Sequence, residues 1–184
     1  MIFNRHSELE GQHAFLGASS YHWINYDTEK VSSRYRNFLA TLNGTKDHEL
    51  AAMLIERGVK LPRSRKTLNM FVNDAIGYQM TPEQPLYFSP NSFGTTDAIC
   101  FNDRILRIHD LKTGVSPTSE SQLEVYAALF CLEYGIKPED IEIELRIYQL
   151  DDVAIFIPPP ERINYIMNKI VTFDKVINEI KMEG

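Results

Sequence analysis

The segment from residue 94 to residue 114 constrains this chain more than any other. Two runs rich in β-forming residues flank Phe101-Asn102-Asp103-Arg104, a pattern that folds as a β-hairpin. Strand side chains alternate between faces, so Leu106, Ile108, Asp110 and Lys112 share one face. That face starts apolar and ends in a carboxylate and an ammonium, just before Thr113-Gly114 and Pro117 stop the strand. With a two-residue turn at Asn102-Asp103, Phe101 pairs with Arg104 and Asp97 lies opposite Ile108. Asp97 then joins the face of Asp110 and Lys112. A three-residue turn would send Asp97 to the other face.

The rest of the chain places helices before and after this hairpin. The spacing predicts a short helix at 18–26 and a longer one at 29–42, interrupted by Asn43-Gly44. Thr45 can cap a further helix over 46–57, ended by Gly58. Another helix is expected at 67–80, with Pro82 beyond it. A proline-rich connection leads to extended segments at 85–89 and 94–101, and the second hairpin strand covers 104–112. Residues 119–134 read as a helix capped by Ser119 or Thr118 and stopped by Gly135. Strands at 141–149 and 153–157 flank an Asp151-Asp152 turn. After Pro158-Pro159-Pro160 an amphipathic helix runs to about 181, with Ile163, Ile166, Ile170, Phe173 and Ile177 at helical spacing. This order predicts an α/β (α+β) fold, a central mixed sheet flanked by helices. A length of 184 residues suits one domain, and no repeat or linker divides it.

Composition excludes some classes. With 25 acidic against 19 basic residues, the net charge of -6 disfavours nonspecific coating of nucleic acid. A metal site, however, gathers carboxylates. Basic residues also group locally, in Lys60, Arg63, Arg65 and Lys66 and in Arg34 and Arg36, and these are candidates for phosphate contacts. Cys100 and Cys131 are too few for a disulfide framework or a four-cysteine cluster and are expected to be buried thiols. No apolar run approaches the roughly 20 residues of a membrane span. The opening Met1-Ile2-Phe3-Asn4-Arg5 lacks export features, so a cytoplasmic protein is expected.

Two carboxylates and a lysine at a strand end suit metal-assisted phosphodiester hydrolysis. Carboxylates bind Mg²⁺ or Mn²⁺, which polarises a phosphate and lowers the pKa of bound water. The lysine holds that water or stabilises charge developing on the phosphorane. Taken alone, an Asp-x-Lys triplet fits a structural ion pair as well. On the 46–57 helix, His48 shares an inward face with Ala51, Ala52 and Ile55, whereas Glu49 aligns with Met53 and Glu56 on a more exposed stripe, so this helix is expected to pack against the face of Asp97, Asp110 and Lys112. A nitrogen ligand leans the preference toward Mn²⁺. Gln122 and Tyr126, four apart, share one helical face. His109 points away from the site by strand alternation and is no ligand; His6, His13 and His22 read as structural or exposed.

Four segments together carry a resemblance: Gly44-Thr45-Lys46-Asp47-His48-Glu49-Leu50, Gly94-Thr95-Thr96-Asp97-Ala98, Ile108-His109-Asp110-Leu111-Lys112-Thr113-Gly114, and Gln122-Leu123-Glu124-Val125-Tyr126-Ala127. In this order they resemble the PD-(D/E)XK nuclease superfamily, in its branch of RecB nuclease domains and λ-exonuclease-like phage enzymes. His13-Ala14-Phe15-Leu16 and Ser19-Ser20-Tyr21-His22-Trp23-Ile24 are similar to the opening of phage-encoded members, so the resemblance covers about residues 13–130.

It implies a restriction-endonuclease-like core and a divalent-metal-dependent DNA nuclease. His48, Asp97, Asp110 and the Leu111 backbone carbonyl would ligate metal, Lys112 would be the catalytic lysine, and Gln122 and Tyr126 would support the site and contact DNA. Thr96 stands where the family pattern has proline. Two cysteines cannot supply the iron–sulfur cluster of some members, so no cluster is expected. The implied activity is an exonuclease of phage-type recombination or DNA processing, in the host cytoplasm if phage-encoded, relying on a free end, homo-oligomerisation or a recombination partner protein. The alternatives are an endonuclease on the same core and a non-catalytic DNA- or partner-binding protein that keeps the fold.

Overall fold

The central hairpin turns one residue later than its composition suggests. In the computed structural model, which describes residues 14–16 and 18–183, β2 (Ser92–Asn102) and β3 (Ile105–Leu111) are joined by Asp103-Arg104. Both turn residues have positive φ, 52° and 63°, the backbone that fits a two-residue turn to the twist of its strands. Ile99, rather than Asp97, therefore lies opposite Ile108. Burial explains this register, because Ile99 and Ile108 pack into one core. The pairing is displaced by an even number of residues, so Asp97 keeps the expected face. The second hairpin is displaced by one residue in the opposite direction. Leu150 and Asp151, with φ of 51° and 59°, form its turn instead of Asp151-Asp152.

Five strands form one mixed sheet in the order β1 (Thr81–Ser89), β2, β3, β4 (Glu142–Gln149), β5 (Asp152–Phe156). Every pairing is antiparallel except β3 with β4. A parallel step needs a crossover, and α3 (Ser121–Tyr134) lies on that connection. β1 begins at Thr81, inside the stretch whose prolines suggest a connection. It is an edge strand, where Pro82 and Pro85 cost no central ladder bond. The fold is thus α+β, a mixed sheet flanked by helices, as the element order predicts.

Each face of the sheet carries its own core. On one, α3 and α4 (Pro160–Glu183) cover Leu86, Ile99, Leu106, Ile108, Leu145 and Ile147. Only the first half of the predicted α4 stripe is used: Ile163 and Ile166 are buried, while Phe173 and Ile177 are exposed. Arg162 donates two hydrogen bonds to Glu124 Oε2, at 2.9 and 2.7 Å, tying α4 to α3. The Glu124 carboxylate is buried and needs that partner. On the other face, α2 (Thr67–Gly77) and the end of α1 (Thr28–Glu56) set Ala51, Ile55, Phe71 and Val72 against Ala98, Cys100, Leu111 and Tyr148.

α1 runs through Asn43-Gly44 without the predicted interruption. Gly44 is buried, and a Cβ there would lie 2.6 Å from Thr113 Oγ1. The glycine permits a close approach, at a helix-propensity cost of about 1 kcal/mol. The chain comprises two compact units, one ending at Asn43 and one starting at Gly44. The first contains a 3-10 helix over Ala18–Asn25 and a ring cluster of Phe15, Tyr35 and Phe38. The second holds the whole sheet. His6 and His13 lie outside the described residues. Among the described residues no helix is long and apolar enough to cross a membrane.

His109 is fully buried on the α2 face, its ring between Tyr78 and Tyr148. Tyr148 spends its hydroxyl proton on Asp74 Oδ2 at 2.7 Å. The 3.2 Å contact between the same hydroxyl and His109 Nδ1 therefore needs the imidazole proton on Nδ1. Nε2 is left as a buried acceptor without a partner. Burial, reinforced by Arg146 and Arg107, pushes the imidazole down to about 3. The unfolded chain protonates this residue near 6.5, so its contribution is complete above that pH and is lost as pH falls from 6.5 toward 3. Denaturant unfolding should show lower stability at pH 5 than at pH 7, and His109→Gln should flatten that difference. An undiminished difference in the variant would place the proton uptake elsewhere.

Candidate metal centre

The last paired residues of the central hairpin are Ala98 and His109, and one step further the register sets Asp97 level with Asp110. There the two strands separate. The Leu111 N–H donates to Asp97 Oδ2 at 2.7 Å, a side chain standing in for the missing strand partner. Asp97 Oδ1 lies 3.3 Å from His48 Nδ1.

His48 does not sit on a helix packed against the aspartate face, as the alternation argument expects. Ala51 and Ile55, on its own helical stripe, pack with Ala98 and Cys100 on the opposite face. The imidazole meets Asp97 where the strands open. Its hydrogen bond to Asp97 raises His48 above the ordinary histidine range, against the opposing effect of burial. Glu49, Met53 and Glu56 are exposed, as predicted.

Lys112 Nζ lies 3.0 Å from both Asp110 oxygens and 2.9 Å from Gln122 Oε1. Its hydrogen-bond geometry is good only at Oδ1, and Asp110 Oδ2 is a buried oxygen with no hydrogen bond. Burial pushes the Asp110 carboxyl up, Asp97 adds to this, and Lys112 pulls it back. Gln122 Nε2 donates in turn to the Tyr126 hydroxyl at 3.1 Å. A further support was hidden in the sequence. A Cβ on Gly94 would lie 2.8 Å from Tyr126 Cε1, so the glycine of the Gly94–Asp97 stretch is what lets the ring lie against β2. Leu111 points its side chain into the α2-face core and meets the site through its backbone.

Glu83 was not singled out by the sequence. Pro82 pairs with Ala98 and Gln84 with Thr96, which sets Glu83 level with Asp97. Donor atoms of His48, Glu83 and Asp97 all lie within 4.8 Å of one another, and Asp110 is not part of that cluster. Desolvation first, then Asp97, pushes the Glu83 carboxyl up. Two flanking prolines made the segment read as a connection, so no periodicity marked this carboxylate. Only its pairing with β2 reveals it.

The donor set suits a divalent cation. Glu83, Asp97 and Asp110, level across three strands, repel one another unless a positive charge lies between them. A cleft of about 440 Å³ opens beside Lys112, lined also by Asp47, Lys66, Thr67, Thr113 and Asp151. Lys60, Arg63 and Arg65 are exposed on the loop before α2. His109 lies on the far face of β3 and takes no part.

Residues 83–171, just under half of the chain, are similar to a family described as a protein of unknown function (DUF2800). The matched stretch contains Glu83, Asp97, Asp110, Lys112, Gln122 and Tyr126 and leaves His48 outside. No curated protein and no solved structure matches the chain.

The Gly94–Tyr126 contact yields a test. Gly94→Ala should cost about 1–3 kcal/mol, the usual range for overpacking. In a Tyr126→Ala background the same change should cost little, because the ring it strikes is gone. Equal costs in both backgrounds, measured by denaturant unfolding, would show that the ring is not the obstacle.

Proposed function

We propose that this chain is a divalent-metal-dependent DNA nuclease that hydrolyses phosphodiester bonds as an exonuclease in the cytoplasm. The observation that carries the reading is Lys112, whose ammonium is held against the buried Asp110 carboxylate and by Gln122. An ammonium has three N–H donors, and these two bonds occupy two of them. The third remains for an attacking water or a phosphate oxygen. Gln122 is itself oriented by Tyr126, so the lysine head is fixed from two sides. A merely structural ion pair would need no such oriented support.

His48, Asp97, Asp110 and the Leu111 carbonyl would hold Mg²⁺ or Mn²⁺. When bound, the cation lowers the pKa of a coordinated water and polarises the scissile phosphate. Asp97 Oδ1 and Oδ2 are already oriented by His48 and the Leu111 amide, so the donor set is preorganised. The cleft beside Lys112 gives the strand a path past the site, and Lys66 on its wall offers a phosphate contact. Buried thiols at Cys100 and Cys131 accord with a reducing compartment.

Incubation with end-labelled linear and covalently closed DNA, with Mg²⁺, with Mn²⁺ and with chelator, tests the reading. Loss of linear DNA alone supports the exonuclease, and nicking of circles supports an endonuclease on the same core. No cleavage with either metal would overturn the reading. Asp110→Asn and Lys112→Ala should each lower cleavage by about 10²-fold or more while the chain still folds, checked by circular dichroism. His48→Ala should weaken metal affinity, with activity partly restored by raising Mn²⁺. Wild-type rates in either the Asp110 or the Lys112 variant would sink the assignment.

A further inference from the structure

We propose that the exposed end of α4 pairs with the same segment of a second copy, antiparallel across a two-fold axis, so that the chain is a dimer.

Along α4, Ile163, Ile166, Ile170, Phe173, Ile177 and Ile180 recur at alternating spacings of three and four residues, the pattern of a heptad seam. α3 covers the start of this seam. Ile163 and Ile166 are buried there, and Ile170 packs half-buried against the same core. Further along, Phe173, Ile177 and Ile180 are 55%, 39% and 61% exposed, with Val176 beside them at 46%.

The polar flank of these same turns is the one that is held. Ser89 and Asn91 donate to Asp174, Asn91 at 2.8 Å. Asn91 also donates to Asn178 at 3.0 Å, and Lys181 donates to Asn91. A surface helix normally buries its apolar stripe and leaves its polar one in water. Here the β1–β2 turn takes the polar flank and fixes the helix with its apolar seam outward. Contiguous exposed apolar surface of this kind marks a contact with another molecule.

The spacing of the seam selects a second copy. Antiparallel pairing sets Ile170 against Ile180 and Phe173 against Ile177, each in both directions, so one patch complements itself as a two-fold interface requires. One rim then brings Lys169 of each copy against Glu183 of the other, opposite charges at flanking positions. On the other rim Asp174 is already bonded within its own chain, with Lys181 beside it. A groove of about 340 Å³ runs along the seam, lined by Ser92, Val125, Ile166, Ile170, Phe173 and Ile177, and gives the incoming Phe173 a seat. α3 decides the direction. It covers the start of the seam, so in a parallel pair two α3 helices would meet at one end, in the space the seam must close. In an antiparallel pair they lie at opposite ends.

Sedimentation of the full chain over a concentration series tests this. Wild type should pass from monomer to dimer as concentration rises. Phe173→Asp should weaken dimerisation by about tenfold or more, because a charge would enter the closed seam. Ile180→Asp should do the same. Both variants should keep the fold, checked by circular dichroism, since both side chains are exposed in the single chain. Lys169→Glu and Glu183→Lys should each weaken pairing, and the double variant should regain it, because the swap restores opposite charges across the axis. A wild type that stays monomeric at every concentration overturns the inference, as does a dimer that Phe173→Asp and Ile180→Asp leave unweakened. A double variant no better than the singles overturns the antiparallel register. A monomer that binds anionic lipid vesicles through Phe173 and Ile180 would assign the seam to a lipid surface and overturn the second copy.

Discussion

The candidate site depends on one substitution of partners: the Asp97 carboxylate takes the Leu111 amide where strand pairing stops. A buried amide left unpaired costs about as much as a lost hydrogen bond, so two strands cannot separate freely in the middle of a core. Here a side chain meets that need, and β2 and β3 open without an orphaned donor. The opening fixes Asp97 by one oxygen and offers the other to His48, whose helix packs on the opposite face. Without it, Asp97 and Asp110 would be an ordinary cross-strand pair of like charges and His48 a core histidine.

Charge is the second constraint. Glu83, Asp97 and Asp110 fall level across three adjacent strands, and like charges directly opposite destabilise a sheet. Lys112 is bonded to Asp110, His48 to Asp97, and both Asp110 and Glu83 are still pushed toward their neutral forms. Burial is the larger cause of both shifts, and the Asp97 charge adds to it. Under the proposed reading a divalent cation would offset these carboxylates, which would give the chain's acidic balance a local meaning that composition alone could not.

The supports of the site reach back into the core. α3 carries Gln122 and Tyr126 on one stripe and Leu123, Ala127 and Phe130 on its buried side, so the packing that fixes the helix also fixes the lysine head. Arg162 clamps the same helix through the buried Glu124. Gly94 admits the Tyr126 ring, and Gly44 brings α1 close enough to Thr113 for His48 to arrive at the opening. Each glycine spends local propensity on a contact between elements.

Sequence by itself determined most of the elements, their order and the face shared by Asp97, Asp110 and Lys112, because alternation and burial survive an even shift in register. It also determined that His48 turns inward, since a helical stripe is read from spacing alone. It misplaced both turns by a residue, because the choice of turn was decided by which isoleucines bury against each other rather than by Asn and Asp preferences. Tertiary structure alone decided that α1 runs unbroken through Gly44, that β1 reaches back through two prolines at an edge, and that His48 comes from the face opposite the aspartates. It alone found Glu83, because a carboxylate gains its partners from the strand it pairs with, and no local pattern records which residue of a neighbouring strand will stand beside it.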